Sequence, residues 1–303
     1  MNITITGNLG AGKTTVRDEL KKLGYDTLSG GDVFRRVAEQ KGVSVVELNE
    51  MLKGDPAIDD EIDGMTARLG REVDNTVFDF RLGWHFVPDS FKVFLLIDPE
   101  VAAERVFYGE ARNAEVYKSL EDTKEALKRR AESERERFAD LYGINYYDAK
   151  NYDLVIESSY ASPEQITGEI VRCLQLYEAG DKRKRIELGL FGLYPTKALE
   201  ELDGEGIKTI CRWEQESASL CVGSAALVTV QDGYCRLLEG HHSVLAGAAA
   251  GKQFAQVHFT SPEALKPQTA LLSREELEKF EKLGNFTYRG NPAEPKQGFL
   301  LEF

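Results

Sequence analysis

The run Ile3-Thr4-Ile5-Thr6-Gly7-Asn8-Leu9-Gly10-Ala11-Gly12-Lys13-Thr14-Thr15 constrains this chain more than any other stretch. Its first residues form a short apolar strand. The rest matches G-x-x-x-x-G-K-[ST] at every fixed position, a spacing whose physical logic is phosphate binding. Gly7, Gly10 and Gly12 let the backbone curl so that successive N–H groups converge on an anion. A helix starting near Gly12 adds its positive N-terminal end. The pattern predicts that Gly7, Asn8, Leu9, Gly10, Ala11, Gly12, Lys13, Thr14 and Thr15 cradle the phosphates of a nucleoside triphosphate. Lys13 then reaches the β- and γ-phosphates, and the Thr14 hydroxyl ligates Mg²⁺.

Beyond Thr15, helical and strand patterns alternate. Helical periodicity covers 16–23 and ends at Gly24; a strand is expected over 25–28, and Ser29 and Asp32 are caps for a helix over 33–40. Helices over 45–52 and 57–71 come next, the second opened by Asp55-Pro56. Strands are expected at 76–80, 92–97 and 152–157, and helices at 100–107 and from Ser162 to about 178. Residues 108–150 are rich in charge and helix formers. This alternation predicts a three-layer α/β domain with a parallel sheet over residues 1–180.

The basic stretch 181–185 is expected to be a solvated linker, leaving 186–303 as a smaller α+β domain with strands at 226–230, 234–238 and 254–259. A length of 303 residues suits two domains of ordinary size.

Charge narrows the partners. The net charge is −13, and residues 1–180 hold 23 Lys and Arg against 34 Asp and Glu, a balance of −11. Such a domain lacks the clustered cations that nucleic-acid binding needs, although a few arginines in a cleft suffice for a small anion. Cys173, Cys211, Cys221 and Cys235 are scattered, with no C-x-x-C pair. That spacing suits buried thiols in a reducing compartment rather than a disulfide framework or zinc site. With no long apolar run and a strand at the N-terminus, the expected location is the cytoplasm.

The stretches ITGNLGAGKTTV, LSGGDVFRRVAEQKGVSVVELNE, DPAIDDEID, FDFRLGWHF and RRAESERERFADLYGINYYDAKNYDLVIESS occur in this order across residues 1–178. In them the chain resembles the cytidylate kinases of the archaeal, type 2 kind, within the nucleoside monophosphate kinases. The resemblance implies a P-loop kinase that converts ATP and CMP or dCMP into ADP and CDP or dCDP, with Mg²⁺. It implies acceptor contacts from Asp32 and Arg35, with Arg35 on the acceptor phosphate.

Arg81 is expected on the same phosphate, where a planar guanidinium binds two oxygens at once. Asp79 is expected to hold a Mg²⁺-bound water. Arg130, Glu134 and Arg137, at i, i+4 and i+7 on one helical face, match the family's pattern for reading the base and clamping phosphate. Arg105 and Arg112 flank an expected lid and grip ATP phosphates on closure. Lys13, Arg35, Arg81, Arg130 and Arg137 form the expected catalytic set, and no side chain has to act as a strong base. Two alternatives stand beside this reading. One is a P-loop kinase for another or a modified nucleotide; the other is a nucleotide-switched binding module whose second half contacts a partner or nucleic acid.

In that second half, GYCRLLEGHHSVLAGAAAGKQFAQVHF gives strand, Gly240-His241-His242, small-residue helix, Gly251, strand. The order resembles the core of the ParB/sulfiredoxin-like fold, in which an arginine of this turn meets a nucleotide phosphate. Ser243 stands at the arginine's position here. His241 and His242 are candidates for a metal pair or for a helix-capping turn.

Overall fold

The computed structural model describes residues 1–52, 57–109, 117–261, 272–288 and 294–303. Five strands follow the alternation expected from the sequence, β1 (Ile3–Gly7), β2 (Asp26–Ser29), β3 (Thr76–Asp79), β4 (Phe91–Leu96) and β5 (Leu154–Glu157), and a sixth, unexpected strand, β6 (Arg185–Gly189), joins them; all six run parallel. Between them lie α1 (Lys13–Lys22), α2 (Gly30–Lys41), α3 (Val45–Leu52), α4 (Ala57–Glu72), α5 (Gly83–Phe86), α6 (Pro99–Tyr108), α7 (Leu120–Tyr142) and α8 (Pro163–Glu178). Strands β1 and β5 are buried along their whole length, so both faces of the sheet are covered, as parallel sheets require.

Helix boundaries follow local chemistry. Ser29 and Asp32 form a reciprocal capping box at α2, as do Ser162 and Gln165 at α8. Ser119 caps α7, and Gly143 ends it in the left-handed region. The expected Asp55-Pro56 start of α4 lies outside the described residues.

The sheet does not stop at residue 180. After β6 come β7 (Leu193–Pro195), α9 (Gly204–Glu216), β8 (Ala226–Gln231), β9 (Tyr234–Glu239), α10 (His241–Ala249), β10 (Phe254–Phe259) and α11 (Arg274–Gly284). The strand order is β2-β3-β1-β4-β5-β6-β10-β8-β9-β7, one sheet of ten among the described residues. β10 is the shared element: its first half pairs antiparallel with β6, and its second half pairs parallel with β8.

One apolar cluster also crosses the boundary, joining Phe94, Tyr152 and Val155 to Leu188, Leu237 and Val257. Arg185 corrects the expectation of a solvated linker. It is 6 % exposed, opens β6 opposite Leu154, and ion-pairs with Asp181, while Lys182, Arg183 and Lys184 remain on the surface. A parallel neighbour strand buries its backbone, and Asp181 supplies the counter-charge.

β8, β9 and β10 fall within a residue of the expected positions, whereas β7 is not among the expected strands. Asp232-Gly233, both at positive φ, closes the β8–β9 hairpin. Gly240 at φ 94° turns the chain into α10. The ring Nε2 of His241 accepts the Thr196 amide at 3.2 Å, and that of His242 accepts the Asp203 amide at 3.0 Å. Both imidazoles therefore secure chain turns. Cys173, Cys221 and Cys235 are buried thiols, whereas Cys211 departs from the expected burial and is half-buried on α9. Among the described residues no helix is long and apolar enough to cross a membrane.

Candidate active site

The loop between β1 and α1 has the shape its glycines dictate. Gly7, Gly10 and Gly12 all take positive φ. A Cβ on Gly7 would collide with the Leu95 carbonyl, and one on Gly10 would press on Ala102. Asn8 ties the loop to β4: its amide donates to Leu95 O at 3.0 Å, and its Oδ1 accepts the Ile97 amide at 3.2 Å. Ala11 is buried, Leu9 is half-buried, and Thr14 and Thr15 lie half-buried in the first turn of α1. Lys13 Nζ curls back to donate to Gly7 O at 2.8 Å and Asn8 O at 2.9 Å. Burial, with Arg81 close by, pushes the Lys13 amine down to about 7.

Around this loop the fold collects charge from three elements. Arg81, just past β3, donates from Nη1 to Gly7 O at 2.8 Å, and its Nε meets Glu134 Oε2 of α7 at 3.0 Å. Glu134 Oε1 in turn holds Arg130 Nε at 3.2 Å. The turn that carries Arg81 is fixed by Thr6 Oγ1, which lies 3.2 Å from both Phe80 O and Arg81 O. Asp79 sits at the same mouth, 3.4 Å from Arg17 Nη1. Burial raises the Asp79 carboxyl, and Lys13, Arg17 and Arg81 oppose the rise. Four cations, Lys13, Arg17, Arg81 and Arg130, thus surround two carboxylates. Arg17 is absent from the sequence-derived set; its place four residues after Lys13, on the same helix face, is the signal that marks it.

The other expected site residues are bonded outside this network. Asp32 Oδ2 accepts from Ser29 N at 2.7 Å and Ser29 Oγ at 2.6 Å, while Oδ1 takes Arg35 Nη2 at 2.6 Å. Both therefore belong to the start of α2, and Arg35 is 63 % exposed. Arg137 reaches across to α4, with Nη2 at 3.6 Å from Asp59. Arg105 donates to Ser158 O at 2.6 Å and to Ser159 O at 3.2 Å, joining α6 to the turn after β5. Arg112 lies outside the described residues. Thr14 offers a hydroxyl and Asp79 a carboxylate, both hard oxygen donors. Their chemistry fits Mg²⁺, which keeps most of its waters and takes phosphate oxygens alongside one or two protein ligands.

The sequence profile of the cytidylate kinase-like family matches residues 2–160, over half of the chain. The chain belongs to the cytidylate kinase-like family. A cytidylate kinase from Methanobrevibacter smithii is 36 % identical over 177 residues, covering 58 % of this chain and 99 % of that protein. An S-adenosylmethionine-dependent nucleotide dehydratase from Lacinutrix mariniflava is 32 % identical over 191 residues, 62 % of this chain and 39 % of the relative. The solved shikimate kinase from Aquifex aeolicus aligns with 59 % of this chain and 99 % of its own at 20 % identity, with a TM-score of 0.39. The kinase half of this chain is accordingly a nucleotide-binding P-loop kinase of the nucleoside monophosphate kinase type.

Proposed function

We propose that the chain transfers the terminal phosphoryl group of ATP to CMP or dCMP, giving ADP and the cytidine diphosphate, with Mg²⁺ at the donor phosphates. The observation that carries this reading is the network Gly7–Arg81–Glu134–Arg130, which joins an acceptor-side pair of guanidiniums to the first residue of the phosphate loop. A protein that only holds a nucleoside triphosphate has no need of that second pair. The cytidine preference is supported by relatives named cytidylate kinase at 36 % and 34 % identity.

Phosphoryl transfer asks the protein for position, charge and exclusion of water rather than for a strong base. In this reading the loop amides and the start of α1 bind the β-phosphate. Lys13 gives up the Gly7 and Asn8 carbonyls to bridge the β- and γ-phosphates. Glu134 holds Arg81 and Arg130 apart and aimed until the acceptor phosphate takes their free N–H groups. Asp32, Arg35 and Arg137 close on the acceptor from α2 and α7, and Arg105 grips the donor from α6. Thr14, and Asp79 through a water, would hold Mg²⁺, which offsets charge on the β- and γ-oxygens.

A second reading, a kinase for a modified nucleotide, draws on the similar segment found within a nucleotide dehydratase. One assay separates the two. ADP release from Mg-ATP is followed with CMP, dCMP, UMP, AMP or GMP in turn. The proposal expects acceleration by the cytidine nucleotides, loss of it in Lys13→Ala and a strong reduction in Arg130→Ala. Acceleration by none of the five would overturn it.

A further inference from the structure

Residues 294–303 lead from the second half of the chain back to the donor side of the kinase. The segment is fastened first to the β8–β9 turn. Lys296 N donates to Asp232 O at 3.0 Å, and Gly233 leaves no room for a Cβ beneath the Lys296 carbonyl. The Lys296 ammonium lies 4.6 Å from the centre of the Tyr234 ring and ion-pairs with Asp98. Both side chains of that pair are about nine-tenths buried, at 10 % and 9 % exposure. Asp98 is the N-cap of α6: its Oδ1 accepts the Glu100 amide at 2.9 Å, and its own amide donates to Ser159 Oγ at 2.9 Å. α6 carries Arg105, which bonds the carbonyls of Ser158 and Ser159.

Four residues further on, the segment reaches the phosphate loop itself. Leu300 O accepts from Asn8 Nδ2 at 3.4 Å. Leu300 and Gln297 join Leu9, Lys124 and Leu127 around a cavity of about 30 Å³ beside the loop. Glu302 then exchanges backbone hydrogen bonds with Tyr147 O at 2.7 Å and Ala149 N at 2.8 Å, and its carboxylate lies 3.6 Å from Arg135 of α7. Phe303 stacks on Phe259 of β10 with ring centres 3.7 Å apart.

We propose that Lys296 and Leu300 are positioning residues for the donor nucleotide, holding the α6 helix that bears Arg105 and the loop residue Asn8 at a fixed separation. Removing the Lys296 charge leaves the Asp98 carboxylate nine-tenths buried with only the Glu100 amide and the positive end of α6 to offset it, so water must enter beside it. That water loosens the start of α6 and its link to Ser159. At the other end, the Leu300 carbonyl accepts from the Asn8 amide, and the Leu300 side chain, lining the cavity with Leu9 and Leu127, seats that carbonyl. Neither residue belongs to the kinase half in sequence, so ATP affinity depends on a segment that the second half delivers. The inference rests on the donor-site reading above.

The test uses the full chain and two readouts: ATP affinity by calorimetry, and the KM values for ATP and CMP. Lys296→Met keeps the stem over Tyr234 and removes the charge. It is expected to weaken ATP binding about five- to tenfold, with a parallel rise in the KM for ATP and a KM for CMP changed less than about twofold. Lys296→Arg is expected to restore most of the loss. An unchanged ATP affinity in Lys296→Met, or equal rises in both KM values, overturns the proposal. If Lys296→Met does not fold, Leu300→Ala leaves the ion pair and the Leu300 carbonyl in place but removes the side chain that lines the cavity with Leu9 and Leu127 and seats that carbonyl; an ATP affinity within about twofold of the parent overturns the proposal there. If the parent chain phosphorylates no monophosphate, the kinase reading fails, while the ATP titration still decides this inference.

Discussion

Arg81 and Glu134 meet at 3.0 Å, and through them α7 is tied to the first residue of the phosphate loop. Arg81 uses two faces of one guanidinium, Nη1 on the Gly7 carbonyl and Nε on Glu134. A lysine has no planar fork with which to do both. Arg81→Lys is therefore expected to lower kcat about 100-fold or more while ATP still binds, since the lost donor acts mainly on the transferring phosphoryl group. Steady-state kinetics beside an ATP titration check this; a kcat within about tenfold of the parent contradicts it.

Lys13 gives a pH signature. Burial and Arg81 hold its amine down to about 7 in the free protein, and incoming phosphates favour the charged form. ATP binding above pH 7 must then take up a proton. The dissociation constant is expected to rise with pH between about 7 and 9, at up to about tenfold per unit. Titrations at several pH values, each in buffers of different ionisation enthalpy, measure both the slope and the proton count. A flat profile contradicts the assignment.

Glu157 is buried at the end of β5, where Oε2 accepts the Gly189 amide at 2.8 Å, and burial raises its carboxyl to about 7. The folded state thus binds a proton that the unfolded chain releases near 4.5. Stability contributed by this group is full below about 4.5 and is lost as pH rises through about 7. Glu157→Gln keeps an acceptor for Gly189 and needs no proton. It is expected to raise the melting temperature at pH 8 and to leave it unchanged at pH 4.5, and scanning calorimetry at the two values distinguishes this from a general packing effect.

The ten-stranded sheet predicts joint unfolding of the two halves. The two tryptophans report on them separately, Trp84 beside Tyr152 and Trp213 on α9. Trp84→Phe and Trp213→Phe proteins are expected to show coincident denaturation midpoints. Phe254→Ala, which cuts a fully buried ring from the shared strand, is expected to shift both together by about 3–5 kcal/mol. Separate midpoints would mean that β6 and β10 do not couple the halves.

Local order was legible because it is local. The glycine spacing of the phosphate loop, the Ser29 and Asp32 caps and the apolar runs of β4 and β10 each act within a few residues. The pairing of β6 with both β5 and β10 is not of that kind. Lys182 to Arg185 carry four cations in a row, and nothing in that run says that Arg185 has Asp181 and a neighbouring strand to bury it. The same holds at the site. Arg130 and Glu134 could be paired from helical spacing, but Arg81 joins them from 53 residues away in sequence, and Arg17 reaches Asp79 across 62. The contact between Asn8 and Leu300 spans 292 residues. Such contacts depend on which strands lie side by side, and periodicity does not encode that.

The proposed transfer requires one cleft to hold a donor and an acceptor nucleotide together. The most direct test is to incubate the full chain with Mg²⁺, ATP labelled at the γ-phosphorus and unlabelled CMP, and to separate the nucleotides. From that transfer, label is expected in CDP, formed in step with ADP and absent when Lys13 is replaced by alanine. Label recovered only as inorganic phosphate, with no labelled diphosphate from CMP, dCMP or any other monophosphate, would contradict it.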